Sequence, residues 1–291
     1  MSTPAPATQI SVHAAAKINL FLHVTGRRED GYHELDSLVG FTAIGDRITV
    51  DASKDITLSV DGPFGDSLPV NDDNLVLAAA RLLAEEVGYQ GGAVISLQKN
   101  LPVSSGIGGG SADAAATLHA LNRLWDVGVS REILATIGLR LGADVPVCLR
   151  SKTTRMSGVG QVIRSMSPLP DLGVLLINPG VAVSTPQVFK ARNGAFSLPV
   201  DGPVSMDGKE LCELLALQQN DLQGPAIELA PVIATVLETL SGLKGCRLSR
   251  LSGSGATCFG LFDDEAAAVA ARDAVSTGHD DWWVQPTTFL D

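Results

Sequence analysis

Positive charge is in short supply along this 291-residue chain. Lys and Arg number 21 against 32 Asp and Glu, a formal net charge of −11. Nonspecific nucleic-acid binding and attachment to anionic membranes both draw on basic surfaces, so this balance argues against them. A phosphorylated ligand is not excluded, because a local site can be positive on an acidic protein. Cysteine is sparse too. Cys148, Cys212, Cys246 and Cys258 form no CxxC pair, and three lie in apolar, strand-like runs. Buried free thiols in a reducing compartment are the simplest reading, and the clustered spacing of a zinc site is missing. The five His residues are scattered, without an HxH or HExxH arrangement. No apolar run reaches membrane-spanning length. The N-terminal MSTPAPATQ has neither the basic start nor the apolar core of a secretory signal. These absences point to a cytoplasmic protein that binds neither membrane nor nucleic acid. Internal repeats and long low-complexity tracts are also missing.

What is present is ample apolar material, 45% of residues, enough for one large domain or two of ordinary size. Residues 10–24 alternate. Ile18, Leu20, Leu22 and Val24 point one way; Lys17, Asn19, Phe21 and His23 point the other. That predicts a strand with one face in the core, and a strand lysine ordinarily faces water. Further strands are predicted over 32–43, 48–50, 56–60, 93–97, 174–177, 246–251, 258–262 and from 282. Asn74 reads as the N-cap of a helix to Val87 stopped by Gly88, and Ser130 as the cap of a helix over 131–141. Helices are also predicted over 112–125, 209–217, 226–240 and 264–275, with loops over 62–71 and 181–204. Alternating strands interleaved irregularly with helices favour an α+β fold with antiparallel or mixed sheets. A domain boundary falls near 151–164, which divides the chain into 1–155 and 156–291.

The stretch LPVSSGIGGGSADAAA (101–116) carries the sharpest signal. Gly106, Gly108, Gly109 and Gly110 lie within five residues, after a predicted strand and before an alanine-rich helix. Such a junction presents unpaired backbone N–H groups at the positive end of a helix, a site suited to phosphate. The plainer alternative is a flexible loop with Ser111 as an ordinary N-cap. A Walker A loop would need Lys and then Ser or Thr after its last glycine, and GxGxxG would need glycine where Ser111 stands. Neither common nucleotide loop fits. A second glycine stretch, SGSGAT (252–257), sits between two apolar strands and reads equally as a tight hairpin turn or as part of a site.

Several stretches together resemble the GHMP kinases. The loop from Pro102 through Gly106-Ile107-Gly108 and on through Gly-Gly-Ser-Ala is similar to the ATP loop of that family. AKINLFLHVTGRREDGYHELD (16–36), LGADVPVCL (141–149), NPGVAVSTPQVF (178–189) and LSGSGATCFGLF (251–262) resemble further motifs in the family's order. The GRREDGYHELD segment resembles the branch that acts on a cytidine diphosphate-linked methylerythritol, and other GHMP kinases lack it. Departures are Gln161 where Glu is frequent, Val39 where a large aromatic is common, and SSGIGGGSAD where GAGLGGGSS is usual.

The resemblance implies a two-domain GHMP-kinase-like α+β fold with mixed or antiparallel sheets and an active-site cleft between the domains. It implies ATP-dependent phosphorylation of the 2-hydroxyl of the cytidine diphosphate-linked substrate, in the non-mevalonate route to isoprenoid precursors. ATP with Mg²⁺ is implied, as is a monomer or homodimer; the sequence offers no dedicated carboxylate pair for the metal. Asp144 matches the residue that takes the acceptor's proton, and Lys17 the lysine that assists it. Without the resemblance, Asp144 would read as a turn residue between helix and strand. Pro102, Ser104, Ser105, Gly106, Ile107, Gly108, Gly109, Gly110, Ser111 and Ala112 match the ATP loop. Asn19, Tyr32, His33 and Phe189 match substrate-binding positions: an aromatic ring can stack on cytosine and an imidazole can hydrogen-bond its edge. Rival readings are a homoserine- or mevalonate-type GHMP kinase, a non-catalytic nucleotide-binding module, and an α+β RNA-binding protein; the net charge speaks against the last.

Overall fold

The computed structural model describes residues 9–71, 73–200 and 207–290. Its two compact units are interleaved along the chain. One comprises residues 1–16, 45–103 and 108–150, the other 17–44, 104–107 and 151–291. A single division at 155/156 does not follow this packing, because 17–44 and 104–107 fold with the C-terminal residues. Two long paired strands, β1 (Ile10–Arg27) and β2 (His33–Ser53), run from one unit into the other. The two segments predicted over 32–43 and 48–50 are thus one strand. β1 also differs from the expected pattern. Its residues Lys17, Asn19, Phe21 and His23 are as buried as the aliphatic ones between them, so both faces lie in the interior.

In the first unit the second half of β2 is the centre of a small mixed sheet. β3 (Thr57–Asp61) lies parallel to β4 (Gly92–Gln98), which pairs antiparallel with β2 from Arg47 opposite Gln98 to Ser53 opposite Gly92. α1 (Leu75–Val87) begins where the Asn74 side chain accepts from the Val76 N–H at 2.9 Å, and ends at Gly88 with φ +64°. It packs on α2 (Gly109–Leu124) and on α3 (Arg131–Leu141), which is capped by Ser130. α4 (Val145–Cys148) is a single turn where the sequence suggested a strand. Pro146 in its first turn is compatible with a helix start and cannot donate to a strand ladder.

In the second unit the first half of β2 pairs antiparallel with β5 (Thr154–Gly158), which continues to β6 (Val162–Ser165). β7 (Gly173–Asn178) is followed by four helices: α5 (Thr185–Ala191), α6 (Gly208–Ala216), α7 (Gln223–Leu229) and α8 (Val232–Gly242). β8 (Leu248–Leu251), β9 (Cys258–Phe262), α9 (Glu265–Ser276) and β10 (Trp283–Thr288) complete it. An antiparallel sheet in the order β10-β7-β9-β8 buries Leu175, Ile177 and Phe262 against Val236 and Leu240 of α8 and Ala268 of α9. The helix predicted over 226–240 is two helices, broken at Ala230–Pro231, because proline has no N–H for the ladder. The segment 181–204 was expected to be loop but contains α5; residues 201–206 of it lie outside the described residues, as does most of the N-terminal 1–9 stretch. Ser184-Thr185-Pro186 supplies a helix start that its loop-like composition concealed. Among the described residues, no helix is long and apolar enough to cross a membrane.

Candidate active site

Within the second unit, β1 brings a buried lysine to a polar cluster. Lys17 is 3% exposed, and its Nζ donates to Asn19 Oδ1 at 3.0 Å. Asn19 Nδ2 donates to Ser37 Oγ at 2.8 Å, and Ser37 Oγ donates to the Phe21 carbonyl. The expectation of a water-facing lysine fails because the opposite face of β1 is covered. The ammonium is instead held by a carboxamide two residues away, where strand alternation places both on one face. This bond orients the ammonium on that face of the strand.

Both glycine stretches contribute to the same neighbourhood in this unit. The Lys17 N–H donates to the Ile107 carbonyl at 2.9 Å, and the Thr257 N–H to the Ser105 carbonyl at 3.0 Å. Ser252 Oγ accepts from the Asn19 N–H at 3.2 Å and donates to the Gly106 carbonyl at 3.1 Å. A Cβ at Gly106, where φ is +76°, would fall 2.7 Å from Gly255 N, and one at Gly253 would fall 2.7 Å from the Gly106 carbonyl oxygen. Two backbones meet here at a distance only glycine permits. SGSGAT is therefore both the β8–β9 hairpin turn and a buttress of Ser105–Ile107. Ser104 beside it has φ +53°, a conformation glycine favours, at one of the positions where the loop departs from the family pattern.

The rest of the glycine run belongs to the first unit. Gly108, at φ +66°, is the N-cap of α2. Gly109, Gly110, Ser111 and Ala112 are its first four residues, so Ser111 lies inside the helix and is not its cap. The N–H groups of Gly109, Gly110 and Ser111 precede the first ladder bond, which the Ala112 N–H makes to the Gly108 carbonyl at 2.8 Å, and α2 is sixteen residues long, so its end carries a full helix dipole. Gly110 is exposed, and a Cβ there would meet only Leu75 Cδ1, at 3.4 Å. Pro102 is buried just ahead of the loop. Asp144 is part-exposed at the N-cap position of α4, where its carbonyl accepts from the Cys148 N–H at 3.1 Å.

Sequence reasoning missed a buried charge cluster beneath this turn. Lys99 Nζ lies between Asp46 and Asp113, with the Asp113 Oδ2 contact at 2.8 Å. Asp46 Oδ1 also accepts from the N–H groups of Asn100 at 2.6 Å and Leu101 at 2.8 Å. A Cβ at Gly109 would lie 3.0 Å from Lys99 Nζ. Burial raises the Asp113 carboxyl to about 7, against the pull of Lys99 and with the push of Asp46. Burial opposes the charge on Lys99, but its two carboxylates outweigh it and raise its pKa. The cluster joins the exit of β4, the middle of β2 and the first turns of α2. No signal in the sequence links positions 46, 99 and 113.

The remaining candidates lie in the second unit. The His33 ring stacks on Phe189 of α5, with centroids 5.0 Å apart and planes at 22°. Burial, then Arg27, then Arg192 lower the His33 pKa, so the imidazole is neutral at pH 7 and can hydrogen-bond as donor or acceptor. Tyr32 is 67% exposed, and its N–H donates to Asp30 Oδ1 at 3.1 Å. Among the described residues no group of three His, Cys, Asp or Glu is placed to hold a metal ion.

Residues 74–152 match the family described as GHMP kinases N terminal domain, and residues 204–280 match GHMP kinases C terminal. A protein of Paramagnetospirillum magneticum named 4-diphosphocytidyl-2-C-methyl-D-erythritol kinase is 49% identical over 285 residues, 97% of this chain and 99% of that one. A protein of the same name from Cereibacter sphaeroides is 52% identical over 280 residues, 95% of this chain and 98% of that one. Among solved structures, a crystal structure of 4-(cytidine 5'-diphospho)-2C-methyl-D-erythritol kinase superposes with a TM-score of 0.79 at 34% identity, covering 97% of this chain and all of the other.

Proposed function

Because this chain belongs to the GHMP kinase family, and so is an ATP-dependent small-molecule kinase, we propose that its acceptor is 4-diphosphocytidyl-2-C-methyl-D-erythritol and that it phosphorylates the 2-hydroxyl. The observation that supports this most is the near-full-length similarity, at about half of all positions identical, to proteins of that name.

The chemistry asks the protein for three things: a cradle for phosphates, a proton acceptor and a fixed hydroxyl. In this reading the N–H groups of Gly109, Gly110 and Ser111 hold the phosphates of ATP, helped by the α2 dipole. Asp144 takes the hydroxyl proton as the acceptor oxygen bonds to the γ-phosphorus and the bond to the β,γ-bridging oxygen breaks. Lys17, held by Asn19, offsets negative charge on the transferred group. Mg²⁺ bound with ATP would supply charge neutralisation at the phosphates, and Ser111 is the candidate oxygen donor of the loop for it.

Cytosine recognition falls to Tyr32, His33 and Phe189. A base sandwiched between two rings needs them about 7 Å apart, twice a carbon–carbon contact. His33 and Phe189 are 5.0 Å apart, so a base stacks on an outer face of the pair and not within it. Tyr32, exposed one residue before His33, supplies a second apolar face, and the neutral imidazole a hydrogen bond to the base edge.

The test is ADP release by the purified protein with the cytidylylated substrate, mevalonate, homoserine and galactose in parallel. Turnover confined to the first is expected. Turnover on mevalonate or homoserine with none on the first would overturn the assignment of the acceptor.

A further inference from the structure

The second glycine loop reaches further than the first. Asn220 Nδ2 donates to the carbonyls of Leu251 and Gly253, both at 2.8 Å, and fixes the loop from behind. In front, Ser252 and Thr257 tie it to Gly106 and Ser105. At its tip, Ser254 Oγ lies 2.7 Å from Thr185 Oγ1, and Ser254 is 6% exposed. Thr185 is the first residue of α5. Ser184 at the cap makes no side-chain capping bond, and the helix meets the core through its second half, with Val188 fully buried and Phe189 partly so. Phe189 lies four residues after Thr185, so the two share one side of the helix. A rotation or shift of α5 therefore moves the Phe189 ring against His33.

We propose that Ser254 is a positioning residue: through its hydrogen bond to Thr185 it fixes α5 so that Phe189 and His33 form a ready surface for the acceptor's base. This rests on the reading of Phe189 and His33 as the acceptor's base-binding pair. Ser254 touches neither substrate in this account. It acts by sparing the complex the ordering of α5, so its loss weakens acceptor binding and leaves ATP alone.

Steady-state kinetics with each substrate varied in turn is the test, on the full chain. Removing one hydrogen bond by Ser254→Ala should raise the acceptor KM about 3- to 10-fold, with the ATP KM and kcat within about twofold. Thr185→Val should act alike, Thr185→Ser should stay near the parent, and the double variant Ser254→Ala/Thr185→Val should be no worse than the worse single one. An unchanged acceptor KM for Ser254→Ala, a parallel rise in both KM values, or additive single effects would each refute the positioning role. Phe189→Ala separates the two levels. If it raises the acceptor KM while Ser254→Ala does not, only the role of Ser254 falls. If Phe189→Ala leaves the acceptor KM unchanged, the base-binding pair is misassigned and the proposal falls with it.

Discussion

Lys99→Met takes one positive charge out of the cluster beneath α2 and changes little else. Methionine fills much of the same volume, and Lys99 is almost wholly buried, so the loss is electrostatic. What remains is two buried carboxylates, Asp46 and Asp113, that shared the ammonium. One oxygen of Asp113 already has no hydrogen-bond partner among the described residues, so the cluster has no spare donor to take over. Removing one partner of a buried ion pair costs about 3–5 kcal/mol. At roughly 2–4 °C per kcal/mol for domains of this size, the melting temperature should fall by about 6–20 °C at pH 8. The pH dependence has a definite sign. In the parent chain, burial lifts Asp113 to about 7, above its unfolded value. The folded state then keeps a proton that the unfolded chain has lost, and stability declines as pH rises from about 4 towards 7. Without the ammonium the carboxylates favour protonation still more, so the gap between variant and parent should narrow on acidification to pH 5.5. Circular dichroism melts at the two pH values measure both quantities. The exposed pair Arg247–Asp263 serves as control, and Arg247→Met should leave the melting temperature nearly unchanged. A Lys99→Met variant within about 2 °C of the parent at pH 8, or a gap that widens in acid, would show that the cluster is not the buried ion triad its geometry describes.

Asp144→Asn keeps the shape of the proposed base and removes its capacity for a proton. Turnover should drop on the order of 10²–10⁴-fold with ATP binding nearly intact, and a variant that keeps most of its turnover would take Asp144 out of the role. Gly110 is a better probe of the phosphate cradle than Gly109, where a Cβ would strike Lys99. Gly110→Val should lower ATP affinity by calorimetry without lowering the melting temperature much, and unchanged affinity would place the phosphates elsewhere. Tyr32→Ala should raise the KM of the cytidylylated substrate roughly 5- to 150-fold while the ATP KM stays within a few-fold, if the ring stacks on the base. His33→Ala should act in the same direction, and an equal rise in both KM values would mean the base binds at another place.

Local rules carried much of the fold. Asn74, Gly88 and Ser130 bound their helices where capping chemistry puts them, and the strands at 93–97, 174–177 and 258–262 lie where apolar runs predict. What was illegible depends on partners far away in the chain. Lys17 looks like a surface lysine until the residues covering the other face of β1 are known. Asp46, Lys99 and Asp113 look like ordinary charges because nothing local announces a pairing across 53 and 14 residues. Of the candidate site, a glycine run leading into a helix was readable from residue types alone. The selection of Asp144 and Phe189 came from family resemblance, since a carboxylate before a short helix and an aromatic in a polar loop are common features.

The interleaving of the two units sets a timetable for the chain as it leaves the ribosome. The first unit has all its residues once position 150 has emerged. Residues 17–44 were made earlier but belong to the second unit, whose outermost strand, β10, ends at Thr288. At roughly 5–20 residues per second, the intervening stretch of about 140 residues takes about 7–28 s to synthesise. Throughout that time Ile18, Leu20, Phe21, Leu22, Val24, Leu38, Val39 and Phe41, all buried in the finished protein, have only part of their cover. A nascent chain stalled between 150 and 288 would therefore display a long apolar strand pair, the kind of surface that chaperones bind and that aggregates when they are scarce.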